Sequence, residues 1–218
     1  MSARLSRLVL FLCAALCLAT SCSMSLKQPD PVKQYYALKA ERPASSGQPT
    51  PAAPVVLKIK RINVAPSYSS REFVYKTSEN SFFPDYYNLF LVAPKDNLTQ
   101  VLRAWLDAAG VAKVALAGES ELEAQYVLES SFSKLYADFS KPQSPVAVVE
   151  AQFFLLRDVQ GRYELSISKT YRQEFPLKDR TPESLVNGYD QALQGILSDL
   201  EADLRNALTA SKSAGKKP

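Results

Sequence analysis

The stretch Tyr126–Phe175, YVLESSFSKLYADFSKPQSPVAVVEAQFFLLRDVQGRYELSISKTYRQEF, decides the fold. Its last part alternates without interruption. Tyr163, Leu165, Ile167, Lys169, Tyr171, Gln173 and Phe175 fall on one side, and Glu164, Ser166, Ser168, Thr170, Arg172 and Glu174 on the other. That period of two marks a strand with one covered face. Asp158-Val159-Gln160-Gly161 breaks the pattern with hairpin-turn residues. Three long strands follow from this reading, at about 125–138, 146–157 and 162–175, joined as an antiparallel meander.

Working outward, helices flank the meander. Leu98, Val101, Leu102, Trp105, Leu106 and Ala109 recur with a 3.6-residue period, predicting a helix over about 95–109. Asp96 or Asn97 is the expected cap at its start, and Gly110 suits the left-handed position after its end. Thr181-Pro182-Glu183 opens a second helix with proline in its first turn. Its apolar stripe runs Leu185, Tyr189, Ala192, Ile196, Leu197, Leu200, Leu204 and Leu208. Upstream, 55–64 reads as a strand, 73–76 and 82–92 as extended pieces, and 111–116 as a strand beyond the first helix. Strand, helix, strand at this spacing permits a parallel crossover. The expected fold is therefore α/β: one domain, a mixed β-sheet with a long antiparallel meander, packed by helices at about 95–109 and 182–208.

Composition narrows the chemistry. The 218 residues include no histidine, which removes the commonest general base and metal ligand together. No glycine-rich phosphate loop occurs. Glu119, Glu121 and Glu123 form an acidic patch, readable as a hard-cation site or as a solvated loop. Asp138 and Glu150 could face each other across a hairpin as paired carboxylates, or stand as separate edge charges. No catalytic residue, metal site or cofactor is expected, and the chain reads as a non-enzyme. The net charge of +4 misleads, because 55–210 holds 17 basic and 20 acidic residues. Nucleic acid is not an expected partner.

The front of the chain speaks to location. Arg4 and Arg7 precede an uncharged apolar run from Leu8 to Ala19. Twelve helical residues rise roughly 18 Å, short of a ~30 Å hydrocarbon core, so the run fits a secretory signal over residues 1–21. Ala19-Thr20-Ser21-Cys22 resembles the lipobox of bacterial lipoproteins, with Ala19 where leucine is usual. The resemblance implies acylation of Cys22, and Ser23, not being aspartate, implies sorting to the outer membrane, facing the periplasm. The alternative is ordinary secretory cleavage nearby, leaving Cys22 a free thiol. Six of the 14 prolines lie in 23–54, so 22–54 reads as lipidated cysteine, tether and loop with a short strand at 35–38. Residues 55–210 are the expected domain and 211–218 a disordered basic tail.

Phe82, Phe83, Asp85, Tyr86, Tyr87, Asn88 and Phe90 crowd into nine positions. Two readings stand: burial between helices on both faces, or an exposed patch that contacts a partner. With Tyr35-Tyr36-Ala37-Leu38, REFVYKTSENSFFPDYYNLFLVAP (71–94), LTQVLRAWLDAAG (98–110), YVLESSFSKLYADF (126–139) and AVVEAQFFLLRD (147–158), the chain resembles the PqiC-like ABC-type transport auxiliary lipoprotein family.

The resemblance implies a non-enzymatic docking component serving an MCE-domain protein and, through it, an ABC permease and ATPase that move lipid between membranes. It makes Asp85, Tyr86, Tyr87, Asn88, Phe90 and Pro94 part of a family motif. Phospholipid contact and a homo-oligomer are further possibilities. Two alternatives remain: a periplasmic carrier, which needs an apolar chamber between sheet and helices, and an envelope scaffold without a transport role.

Overall fold

The computed structural model describes residues 32–43 and 54–214, and from Lys33 onward these form one compact unit. Cys22, Ser23, the signal segment and residues 215–218 lie outside the described residues. The meander is β7 (Tyr126–Asp138), β8 (Val146–Val159) and β9 (Arg162–Pro176), antiparallel throughout. Val159 pairs with Arg162, leaving Gln160 and Gly161 as a two-residue loop. Both have positive φ, 54° and 80°, as a tight hairpin requires.

The free edge of β7 takes three short parallel strands in succession: β2 (Val56–Ile59), β3 (Asn63–Val64) and β4 (Glu72–Ser78). β6 (Val114–Ala117) extends the sheet beyond β2, in parallel. β5 (Ser81–Phe90) lies antiparallel beyond β4, and β1 (Gln34–Tyr36) lies parallel to the end of β5. Nine strands make one mixed sheet. The expected α/β architecture and parallel crossover are present.

α1 (Pro94–Ala109) and α2 (Pro182–Ala214) cover one face of that sheet. Every residue of the stripe from Leu185 to Leu208 is buried. Against it stand Phe132, Leu135, Phe153 and Leu155 from the meander. At about 1.5–3 kcal/mol per buried large apolar side chain, this stripe holds α2 to the sheet. Gly188 allows the approach, since a Cβ there would lie 2.4 Å from Leu177 Cδ2 and 2.9 Å from Ala147 Cβ. The opposite face carries Lys60–Glu129, Lys134–Glu150 and Arg172–Glu150 ion pairs and one small apolar cluster, Val74, Tyr136 and Val148.

Several expectations need correction. Neither Asp96 nor Asn97 caps α1: Ala93 is its N-cap and Pro94 its first residue. Proline's fixed φ starts the helix without a side-chain cap. Asp96 pairs instead with Arg61, and Thr99 Oγ1 accepts from the Ile62 N–H at 3.1 Å. These contacts hold Arg61 and Ile62 off the ladder, so the strand read at 55–64 is two strands. Gly110 does take the left-handed position, φ 59° and ψ 39°. α2 continues to Ala214 because no glycine or proline interrupts it between Ala210 and Ala214. Asp138 sits opposite Val146, and Glu150 opposite Lys134, so those carboxylates are not a pair: Asp138 bonds Lys76, and Glu150 bonds Lys134 and Arg172.

Residues 33–43 lie along the body as a strap. Leu38 and Ala40 are buried in the main core. Asn97 Oδ1 accepts from the Leu38 N–H at 2.7 Å, and Asn97 Nδ2 donates to the Leu38 carbonyl at 3.1 Å. Asp190 Oδ1 accepts from the Lys39 N–H at 2.8 Å, although burial pushes that carboxyl up. Glu201 receives Arg42 Nε at 2.9 Å and Trp105 Nε1 at 3.2 Å.

Among the described residues two buried hydroxyls, Ser130 Oγ and Tyr189 Oη, lack a hydrogen-bond partner. Tyr189 Oη is fully enclosed without a hydrogen-bond partner, and burial pushes its pKa well above the ordinary value. An unmatched buried polar group costs about 1–3 kcal/mol. Tyr189→Phe is therefore expected to raise stability by about 1 kcal/mol, read as a higher urea midpoint at unchanged slope.

Candidate functional site

The aromatic run 82–90 is a strand with a large irregularity. Val74 pairs with Pro84 and Glu72 with Leu89, so Asp85–Asn88 stand opposite Phe73 alone. Four residues against one make a bulge that turns side chains outward. Asp85 builds it. Its Oδ1 accepts from the Tyr87 N–H at 2.8 Å and the Asn88 N–H at 3.1 Å. Its Oδ2 accepts from Asn88 Nδ2 at 2.8 Å and from the Tyr75 hydroxyl at 2.7 Å. An aspartate bonding the backbone two and three residues ahead is the usual stabiliser of such a turn.

Electrostatics agree with geometry. Burial pushes the Asp85 carboxyl up, but the bonds from Asn88, Tyr75 and the two N–H groups outweigh it, leaving the group below its ordinary value. Tyr75 is raised, first by burial and then by its bond to Asp85. Tyr36, on β1, donates its hydroxyl to Glu183 Oε1 at 2.7 Å. Burial and that bond push it up to about 12. Aspartate, two tyrosines and Glu183 thus tie the bulge to β1, β4 and the start of α2.

The run divides cleanly. Asp85 and Phe90 are buried, and Phe90 meets Phe73 at 4.7 Å and Tyr189 at 6.2 Å between ring centres. Asn88 is half-buried, and Pro94 begins α1. By contrast Phe82, Phe83, Tyr86 and Tyr87 are 46, 57, 63 and 40 % exposed. No helix covers them, so burial between helices on both faces is incorrect here. The reason is position: β5 has β4 on one side, while β1 reaches only Asn88–Phe90 on the other. Pro84 and the bulge blunt the open edge against added strands. What remains on offer is side-chain surface. Tyr35 and Leu91 extend it; the sequence reading placed them in the extended segments 35–38 and 82–92 but did not mark them as contact residues.

Elsewhere chemistry is sparse. A surface cleft of about 510 Å³ is lined by Lys58, Glu121, Glu123, Asp158 and Tyr163. Glu119 lies in a different cleft, beside Arg61, Asp96 and Arg103. The three glutamates do not converge, and among the described residues no cluster suited to a metal forms. Among the described residues no helix is long and apolar enough to cross a membrane. Between sheet and helices, Leu57, Leu102, Trp105, Phe153, Tyr189 and Leu200 are all nearly or fully buried and fill the space a carrier's chamber would need.

Comparison with known proteins gives the chain its relatives. A crystal structure of a DUF330-family protein from Xanthomonas campestris superposes with a TM-score of 0.68 at 16 % identity, over 84 % of this chain and all of that one. The crystal structure of an uncharacterized protein superposes with a TM-score of 0.61 at 15 % identity, over 79 % of this chain and 99 % of that one. At such identities the likeness concerns the fold. No curated protein matches the sequence. The family model for the ABC-type transport auxiliary lipoprotein component matches residues 36–201, from β1 to the latch at Glu201. The chain belongs to the ABC-type transport auxiliary lipoprotein family.

Proposed function

We propose that this auxiliary lipoprotein is the outer-membrane docking component of an intermembrane lipid transport system. In this reading residues 1–21 are removed, Cys22 is acylated, and Ser23 directs the product to the periplasmic face of the outer membrane. An MCE-domain protein is the direct partner, and through it an ABC permease and ATPase. The module performs no catalysis: it supplies position and a surface.

The observation that carries the reading is the display of aromatics along one strand, Phe82 and Phe83 in its paired part and Tyr87 on the preformed bulge beside them. Interface cores are enriched in such rings, and rigid presentation lowers the ordering cost of association. Phe82, Phe83 and Tyr87 are the contact residues, with Asp85, Asn88 and Phe90 holding them in place. Phe82 is already braced edge-on against Tyr136 at 5.6 Å.

A photoreactive residue at position 83 should trap an MCE-type protein in living cells. Recovery of self-crosslinks alone would overturn the assignment. Incorporation of radiolabelled palmitate should depend on Cys22 and vanish in Cys22→Ser. Three acyl chains exceed the two signals that stable anchoring needs.

A further inference from the structure

The exposed apolar side chains of β5 have a second end, away from Phe82 and Phe83, where the chain enters the body. Here Tyr35 (52 % exposed), Tyr86 and Leu91 (55 %) stand open to solvent, with one cation over each of the two rings. Lys33 Nζ stands 4.0 Å from the centre of the Tyr86 ring, and the Arg71 guanidinium 5.2 Å from that of Tyr35. The backbone fixes the group: the Leu91 N–H donates to the Tyr36 carbonyl at 2.6 Å, and Arg71 Nε donates to the Phe90 carbonyl at 2.8 Å. Glu72 is the acidic neighbour, held below its ordinary value first by a bond from Ser70, with Lys33 and Arg71 adding to it. Lys33 and Arg71 both act on this one carboxylate.

Aromatic rings and a leucine with lysine and arginine at their margin match the headgroup boundary of a bilayer. Rings of this kind settle at that depth, while long cationic side chains reach toward phosphate. Chain length adds an independent argument. Eleven peptide steps separate Cys22 from Lys33, at most roughly 40 Å when fully extended. The tether joins the body at Lys33, beside Tyr86, so this end stays within that reach of the bilayer that holds Cys22.

We infer that Tyr35, Tyr86 and Leu91, flanked by Lys33 and Arg71, form a seat on the phospholipid bilayer that carries the anchor. This rests on the acylation of Cys22 proposed above. Seating fixes the height and tilt at which Phe82, Phe83 and Tyr87 meet their partner, and confines the body to one orientation.

The test uses the lipidated full-length product, purified and reconstituted into phosphatidylethanolamine–phosphatidylglycerol vesicles. Cys13 and Cys17 leave with the signal and Cys22 is blocked, so an introduced cysteine is the sole free thiol. Leu91→Cys and Tyr86→Cys are labelled with an environment-sensitive dye, with Ser168→Cys on the polar face as control. Emission at 91 and 86 should shift to the blue and be quenched several-fold more by spin-labelled lipid than emission at 168. Flotation with the vesicles is read in parallel. Protein that floats while positions 91 and 86 stay aqueous overturns the seat and leaves the anchor standing. A blue shift insensitive to the lipid quencher places a second copy on this face and also overturns it. Protein that fails to float removes the anchor, and the seat with it.

Discussion

Glu201→Ala is expected to lower the free energy of unfolding by about 3–5 kcal/mol, the cost of breaking a buried ion pair from one side. Glu201 and Arg42 are 11 and 9 % exposed, so the guanidinium left behind has little access to water. Trp105 Nε1 loses its acceptor as well. Arg205, which also bonds Glu201, is 27 % exposed and can turn outward. Urea unfolding of the purified protein measures the loss. A double-mutant cycle with Arg42→Met should show strong coupling, because the two side chains bond each other directly.

The pH dependence has a definite sign. Burial pushes the Glu201 carboxyl up, but the hydrogen bonds and charges of Arg42 and Arg205 outweigh it and leave the group below its ordinary value. Its contribution is complete above the unfolded value of about 4.3 and fades as pH falls through the lower folded value. Glu201→Gln should flatten that acid limb.

Asp85→Ala is the second large effect, with an expected loss of about 2–4 kcal/mol, since hydrogen bonds to a charged acceptor contribute about 1.5–3 kcal/mol each and do not add fully. Four donors converge on this carboxylate, and all four lose their acceptor if it goes. Asp85→Asn is not conservative, because its amide would meet the Asn88 amide donor to donor. Function should fall further than stability. With the bulge loosened, crosslinking from position 83 should drop severalfold at a temperature where the body remains folded by far-UV circular dichroism. Full crosslinking in a folded Asp85→Ala protein would show that a preformed bulge is not needed.

Length decides how much of this was legible in the amino-acid order. The meander and both helices carry their periods over a dozen residues or more, and the stripe from Leu185 to Leu208 is buried at every position read. Short elements were harder. Arg61-Ile62 looks like strand, but its geometry is set by Asp96 and Thr99 on α1. Period-two alternation at 82–90 assumes a covered face, and the bulge depends on β5's register with β4, a tertiary property. Asp85 and Asn88 are turn-forming residues, and their spacing was the local hint of a break. The latches were invisible for another reason. Asn97, Asp190 and Glu201 are ordinary polar helix residues until the strap arrives from 59, 151 and 159 positions away.

That strap has a consequence for cleavage. Asn97, Asp190 and Glu201 grip residues 38–42 by bonds that do not pass through 44–53. A peptide bond cut in that interval would separate the two pieces covalently, yet leave the front piece clasped to the body. A protease acting there would nick the lipoprotein without freeing it from its membrane.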